Sequence, residues 1–227
     1  MGRRWVGAEL LSTAAGTLRL AGGSGVLFVA LFATHRVLQG GGPAAGSAEV
    51  ISAYLTEHRG AWLLSQILNG LGLVMFMLFV VSLAGALRRT DGFLAAAGVI
   101  VSGSVFVALG MVSTAAETAL LAVAGSGQPA AVLVLFELQA RVPVVFAVAA
   151  FTAVTALAAW RGGLVPPWLG VIGLVAAGVF LIAAALSVLA PVGAGDSSPI
   201  GPALFAVWLL VLCGGLFRAS GAARRGA

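Results

Sequence analysis

The fold of this chain is decided by segments such as residues 62–87, WLLSQILNGLGLVMFMLFVVSLAGAL, which run without a single charged residue. A helix needs about 20 apolar residues to cross the roughly 30 Å of bilayer hydrocarbon. Similar segments lie on either side, at residues 20–38, 93–124, 131–160, 166–190 and 200–217. We therefore predict an all-α, polytopic transmembrane helical bundle of about six spans, forming a single membrane-embedded domain over residues 1–227.

The composition excludes several classes of protein. Hydrophobic residues make up 61% of the chain and charged residues 8%, so a water-soluble fold would lack polar residues to cover its surface. The basic residues are all arginines, which excludes a Gly-Lys-Ser/Thr phosphate loop and Schiff-base chemistry. Because the arginines lie at segment ends rather than in a basic stripe, nucleic acid is not an expected partner.

The sequence also predicts no metal site and no cofactor. Cys213, His35 and His58 are the only cysteine and histidines, and they supply no ligand set for a structural metal. A haem between the two histidines would need them deep in the bundle, whereas both lie near span ends. We interpret them as interfacial, solvated residues.

The arginines predict the orientation, because positive charge near span ends is retained in the cytoplasm. With six spans, one side carries Arg3, Arg4, Arg19, Arg88, Arg89, Arg161, Arg218, Arg224 and Arg225, and the other carries Arg36, Arg59, Glu49, Glu57 and Asp196. Both termini are therefore expected in the cytoplasm, with Trp62, Trp160 and Trp168 at headgroup depth. The first span also resembles a signal peptide, but the long stretch before any cleavage site favours a retained span.

Small residues recur four apart within the spans, at Ala21/Gly25, Gly98/Ser102, Gly110/Thr114 and Gly173/Ala177. Such residues let helix backbones approach closely in lipid. A compact bundle explains them, and a face for a second copy of the chain is the alternative.

The loop before the second span contains an amphipathic pattern over about residues 47–58. Ser47 can cap a helix in which Val50, Ile51, Tyr54 and Leu55 share one face. This predicts a short helix lying flat at the outer interface, or an extension of the second span bent at Gly60. As a functional element it would be a lid over an outward-facing cavity.

Three ionisable residues lie inside the spans: Glu117 in the third, and Glu137 and Arg141 in the fourth. In a hairpin turning at Gly125–Pro129, the two carboxylates reach a common depth roughly 12 Å below the turn. Arg141 follows Glu137 by one helical turn, which predicts a triad. An arginine or an acidic residue at mid-helix costs about 2.5–3.5 kcal/mol on insertion, so the three must neutralise one another or be reached by water.

Further polar residues lie at similar depth. Gln66 and Asn69 share a face of the second span, Thr114 lies one turn from Glu117, and Pro143 predicts a kink in the fourth span. The candidate intramembrane polar cluster comprises Glu117, Glu137, Arg141, Gln66, Asn69 and Thr114. Two interpretations stay open: an outward-facing polar pocket and a structural clasp between helices.

Several short motifs resemble those of one known family. They are Arg19-Leu20-Ala21-Gly22, Val50-Ile51…Tyr54-Leu55…His58-Arg59, Leu83…Leu87-Arg88-Arg89 and Leu164-Val165-Pro166-Pro167-Trp168-Leu169-Gly170. Over about residues 17–190 the chain resembles the six-helix bacterial membrane proteins of the domain-of-unknown-function 4386 type. This resemblance implies an integral bacterial membrane protein and carries over no catalytic residue.

Two classes of function follow. The first is a structural, accessory or regulatory component of the membrane, whose partner beyond the lipid bilayer would be another membrane protein or a second copy of the chain. The second is a carrier or receptor that binds a proton or a small molecule, of unknown identity, around Glu117, Glu137 and Arg141. Since no nucleophile–base pair is visible in the sequence, we do not expect an enzyme, and we assign no catalytic residue.

Overall fold

The computed structural model describes residues 2–40, 42, 46–189 and 200–225, with the side chains of all of these except 2–14, 140–141, 187–188 and 223–225. The described residues form α1 (Gly2–Gln39), α2 (Ala48–Glu57), α3 (Arg59–Thr90), α4 (Phe93–Val123), α5 (Pro129–Arg141), α6 (Val144–Arg161), α7 (Pro167–Leu189) and α8 (Ile200–Arg225). They contain no strand. The predicted loop around Asp196 lies outside the described residues.

Six stretches are long and apolar enough to cross a membrane, which confirms the predicted all-α bundle of six spans. They are Ala15–Gln39, Arg59–Thr90, Phe93–Val123, Pro129–Arg161, Pro167–Leu186 and Ile200–Ala222. Each lies within a few residues of its predicted segment, because hydropathy and length are properties of the local sequence. The fourth differs most, since it is made of two helices, α5 and α6.

The spans form a ring around a common core. Helix α1 packs along α3 and α8, α3 packs against α4, α4 against α5 and α6, and α6 against α7. The ring closes between α7 and α8, which touch over a much shorter stretch than the other neighbours. We call the end of the bundle next to α2 the α2 end, and the end that carries Arg88, Arg89, Arg161 and Arg218 the arginine end.

A cluster of phenylalanines fills the axis of this ring. Every span contributes a buried ring: Phe28, Phe76, Phe106, Phe151, Phe180 and Phe205. The ring of Phe76 is central, with centroids 4.6 Å from Phe106 and 4.9 Å from both Phe28 and Phe151. Tilted and edge-to-face contacts of this kind add to the dispersion energy of burial. The middle of the bundle is therefore filled by closely packed side chains.

Glycines allow the helices to pack closely, and the residues that they face belong to neighbouring helices of the same chain. A Cβ added at Gly25 would lie 2.5 Å from the sulfur of Cys213, and one at Gly173 would lie 2.5 Å from Ala156. At Gly98 and Gly110 the nearest atoms, on Val154 and Leu73, would be 3.0 Å away. All four predicted small-residue motifs thus serve helix contacts inside the bundle.

The fourth span is interrupted at Val142 and Pro143. Helix α5 ends at Arg141 and α6 begins at Val144, while Val142 is extended with ψ 122°. Proline has no N–H to continue the ladder and drives the preceding residue out of helical conformation. The sequence predicts a kink at Pro143, and the structure shows a complete break of the helix there.

Helix α2 matches the predicted amphipathic helix in its bounds but differs in its buried face. Ala48, Ile51 and Leu55 are buried, whereas Val50 is 53% exposed. The buried face packs on the α2 ends of α3, α4 and α5, at Trp62, Leu120, Leu121, Ala124 and Val132. Trp62 is therefore covered by protein, and its position at headgroup depth stays a prediction.

The ends of α2 also differ in detail from the prediction. The helix is separated from α3 by His58 alone, so the bend falls two residues before Gly60. Ser47 occupies the N-cap position without a side-chain capping bond. Its hydroxyl interacts instead with the exposed carboxylate of Glu49 and lowers the pKa of that group below its ordinary value.

Candidate functional site

The polar residues of α3 and α4 meet as two successive rungs of an antiparallel helix pair. Nε2 of Gln66 donates to Oε2 of Glu117. One turn further along, Nδ2 of Asn69 donates to Oγ1 of Thr114 over 2.8 Å. Because the helices are antiparallel, three residues forward on α3 match three residues back on α4. Four of the six predicted cluster residues are therefore brought together by one register.

Further along the contact between α3 and α4, toward the arginine end, glycines of α4 lie opposite residues of α3. A Cβ on Gly110 would lie 3.0 Å from Leu73, and one on Gly103 would lie 2.6 Å from Val80. Helix α4 thus approaches α3 closely along a face that begins with polar residues and continues with glycines. Close approach of the backbones fixes the distance across which short polar side chains can bond.

Glu117 accepts a second hydrogen bond, from a residue that the sequence analysis did not single out. Nε2 of Gln39, at the end of α1, donates to the same Oε2 atom over 2.8 Å. Gln39 and Gln66 are both buried. Hydrogen bonds to a charged acceptor are stronger than those between neutral groups. One carboxylate oxygen therefore joins α1, α3 and α4.

Arg36 connects to this carboxylate through Gln39. Its Nη1 donates to Oε1 of Gln39 over 3.2 Å, while Nε2 of the same amide donates to Glu117. The exposed guanidinium is also close enough to act electrostatically on Glu117. An arginine near a helix end can keep its charge in water while its stem lies along the protein. Gln39 therefore links the guanidinium of Arg36 to the carboxyl group of Glu117 through two hydrogen bonds.

Side chains around Gln39 and Glu117 tie the neighbouring elements together. Nδ1 of His35 donates to the carbonyl of Ser65 over 3.0 Å, and the imidazole is buried. The hydroxyl of Tyr54 on α2 donates to the carbonyl of Gln39 over 3.2 Å. Nη1 of Arg59 donates to the carbonyl of Leu121. The interpretation of His35 as a solvated residue was therefore wrong, because its imidazole is buried. His58, in contrast, is exposed and stacks on Tyr54.

The predicted triad is only partly described. Glu137 lies half-buried on α5, which packs against α4 as the predicted hairpin requires. The side chain of Arg141 lies outside the described residues, so its pairing with the carboxylates stays a prediction. The hydrogen bonds described for Glu117 come from α1 and α3, and both reach Oε2.

Gln39 and His35 carried a sequence signal that was overlooked. They lie four residues apart at the end of the first span, which places both on one helix face. Arg36 follows His35 directly, at the same end of the span. In the described part of the chain, no three His, Cys, Asp or Glu residues come close enough to hold a metal ion.

These features define a multi-pass helical membrane protein with a buried polar cluster near one end of its bundle. Searches against protein-family models, curated proteins and solved structures gave no match to this chain. The resemblance to the domain-of-unknown-function 4386 type consequently stays a prediction.

Proposed function

We propose that this protein is a structural, accessory or regulatory component of the bacterial cytoplasmic membrane, with both termini in the cytoplasm. The observation that carries the proposal is the set of hydrogen bonds that Glu117 accepts. Its Oε2 atom accepts two amide donors from two other helices, and Arg36 supplies a counter-charge through Gln39. Polar groups that satisfy one another across helices hold a bundle together in lipid, where apolar residues give little drive for association.

The neighbouring contacts support the same interpretation. The Asn69–Thr114 bond lies one turn below Gln66–Glu117, and the phenylalanine cluster fills the axis beyond it. A packed axis suits a scaffold better than a conduit. The partner of such a component would be another membrane protein or a second copy of the chain. As the small-residue motifs are occupied within the bundle, that partner would bind another surface.

A carrier or receptor is the second candidate, and the break in the fourth span favours it. Non-helical backbone at membrane depth is tolerated where it is buried in protein or lines a water-filled cavity. Interrupted helices form the ion and substrate sites of many carriers. Here the break at Val142 and Pro143 follows Glu137 by little more than one turn. A proton or small cation would bind there, with Glu117, Glu137 and Arg141 as the titrating or pairing groups.

Water access to position 137 distinguishes the two candidates. Cys213 is replaced by alanine, and the Glu137→Cys variant is treated with a membrane-impermeant thiol reagent in sealed vesicles. Thr152→Cys, at a fully buried position, is the unreactive control, and Thr56→Cys, at an exposed position on α2, is the reactive control.

The proposed structural role predicts that the thiol of the Glu137→Cys variant reacts no faster than that of the Thr152→Cys control. Labelling at a rate close to that of the Thr56→Cys control would instead show an aqueous path to the fourth span. In that case the structural proposal is withdrawn in favour of the carrier or receptor.

A further inference from the structure

A groove opens at the arginine end, where α7 and α8 close the ring of spans. It has a volume of about 540 Å³ and is lined by residues of α7, of α8 and of the turn before α7. Its walls are mostly apolar, with Val165, Leu169 and Val211 among them, and its polar members include Arg218 and Trp168. The groove is thus apolar along most of its wall and carries one cationic side chain.

Two adjacent glycines of α8 shape this groove in different ways. A Cβ on Gly215 would lie 3.1 Å from Val165, so glycine there lets the turn before α7 approach α8. A Cβ on Gly214 would meet nothing within 4 Å, and the space beside it belongs to the groove. The groove therefore arises from the missing side chain at Gly214 and from the short contact between α7 and α8.

The dimensions of the groove suit one leaflet of a bilayer. Its lining residues on α8 run from Val211 to Ala222, roughly 16 Å along a helix axis, of which about 10 Å separates Val211 from Arg218. One leaflet contributes about half of the roughly 30 Å hydrocarbon thickness. Trp168, 54% exposed at the start of α7, lies beside the groove, and tryptophan is enriched at headgroup depth.

The charge at this end selects an anionic occupant. Arg218 is exposed, and no described residue forms a hydrogen bond or ion pair with it. Helix α8 continues to Arg224 and Arg225, and Arg161 ends α6 on the same side. Nine arginines are assigned to this end, whereas the acidic residues assigned to it are Glu9 and Asp91. The net charge of this end is therefore strongly positive. Basic grooves between spanning helices attract anionic headgroups.

We propose that the groove between α7 and α8 binds one anionic phospholipid. The guanidinium of Arg218 donates to the phosphate, and an acyl chain lies between the helices along Val211 and Leu169. A lipid fits because the groove combines a cation at headgroup depth with an apolar wall about 10 Å long, roughly two-thirds of the hydrocarbon of one leaflet. A peptide helix is about 10–12 Å across with its side chains, and a groove of about 540 Å³ is too small to hold one.

Native mass spectrometry of the detergent-solubilised full chain tests this proposal. The protein is titrated with phosphatidylglycerol and, separately, with phosphatidylcholine of the same acyl chains. The wild-type chain is expected to bind one phosphatidylglycerol more tightly than phosphatidylcholine. Arg218→Gln should weaken phosphatidylglycerol about fivefold, the factor expected for one arginine near an anionic surface. It should weaken phosphatidylcholine less, because the choline charge offsets that of the phosphate.

Two further variants distinguish binding in the groove from a general attraction of lipid to the positive charge at this end. Arg161→Gln removes the same charge at the same end but outside the groove lining, and should bind both lipids as the wild type does. Gly214→Leu fills the groove without a change in charge, and should weaken both lipids. Circular dichroism verifies that all three variants are folded.

The proposal is overturned if the wild type shows no preference for phosphatidylglycerol. It is also overturned if Arg161→Gln weakens that lipid as much as Arg218→Gln does, since the attraction would then be diffuse. Unchanged binding by Gly214→Leu would show that lipid binds elsewhere on the surface.

Discussion

Coupling between Gln66 and Glu117 provides the most direct test of the polar cluster. The two residues are replaced singly and together, as Gln66→Met and Glu117→Met, and the free energy of unfolding is measured for each variant. Either single change leaves its partner buried without that bond, whereas the double change removes both groups. The difference from additivity isolates the interaction between them.

The chain contains a matched neutral pair for comparison. Asn69 and Thr114 join the same two helices one turn away, through a bond of 2.8 Å between uncharged groups. Interhelical hydrogen bonds in a membrane protein couple by about 0.6 kcal/mol on average, with a maximum near 1.7. Charge-assisted bonds are roughly twice as strong as neutral ones. We expect about 0.6 kcal/mol for Asn69→Leu with Thr114→Val, and about 1.2 kcal/mol for Gln66 with Glu117.

Unfolding by sodium dodecyl sulfate in mixed micelles, followed by tryptophan fluorescence, supplies these free energies. The Gln39–Glu117 bond remains in the Gln66→Met variant, so the variant should stay folded. A coupling for Gln66 and Glu117 no larger than that of the neutral pair would refute the reasoning. Glu117 would then be uncharged in the folded bundle, or its bond to Gln66 would be absent in solution.

Three further predictions follow from the topology, the packing and the charges. Reporter fusions after residues 90, 163 and 227 should read as cytoplasmic and those near residues 45, 127 and 196 as external; a cytoplasmic signal from residue 127 would contradict the orientation. Gly103→Ala should destabilise the bundle by about 1–3 kcal/mol, because its Cβ would lie 2.6 Å from Val80, whereas Gly70→Ala, which meets nothing within 4 Å, should be neutral or stabilise it by up to about 1 kcal/mol. Arg141→Ala should lower the melting temperature in detergent more than Glu137→Gln/Arg141→Gln does, because it leaves more unpaired charge; strict additivity, with coupling below about 0.5 kcal/mol, would show that the residues do not meet.

Much of the architecture follows from local sequence. The six spans, the hairpin between α4 and α5 and the interruption at Pro143 each depend on residues within one turn or one segment. Apolar length decides whether a segment crosses a bilayer, and a missing N–H decides where a helix breaks. These properties need no knowledge of which helices become neighbours.

The composition of the polar cluster depended on the register between helices. The sequence offered Gln66, Asn69, Thr114 and Glu117 as candidates, and the α3–α4 contact brings them together. It did not indicate that Gln39 would reach Glu117 from α1, 78 positions away in the chain. Only the packing of α1 against α3 makes that bond and connects Arg36 to the carboxylate.

The faces of individual helices were likewise decided by tertiary structure. Sequence periodicity placed Val50 with Ile51 and Leu55, yet Val50 is exposed, and His35 is buried beside Ser65. An apolar side chain gains almost the same solvation from lipid as from another helix, so hydropathy specifies that a segment enters the membrane without specifying its neighbours. Close backbone approach at glycines and the satisfaction of buried polar groups make that choice, and both require the folded bundle.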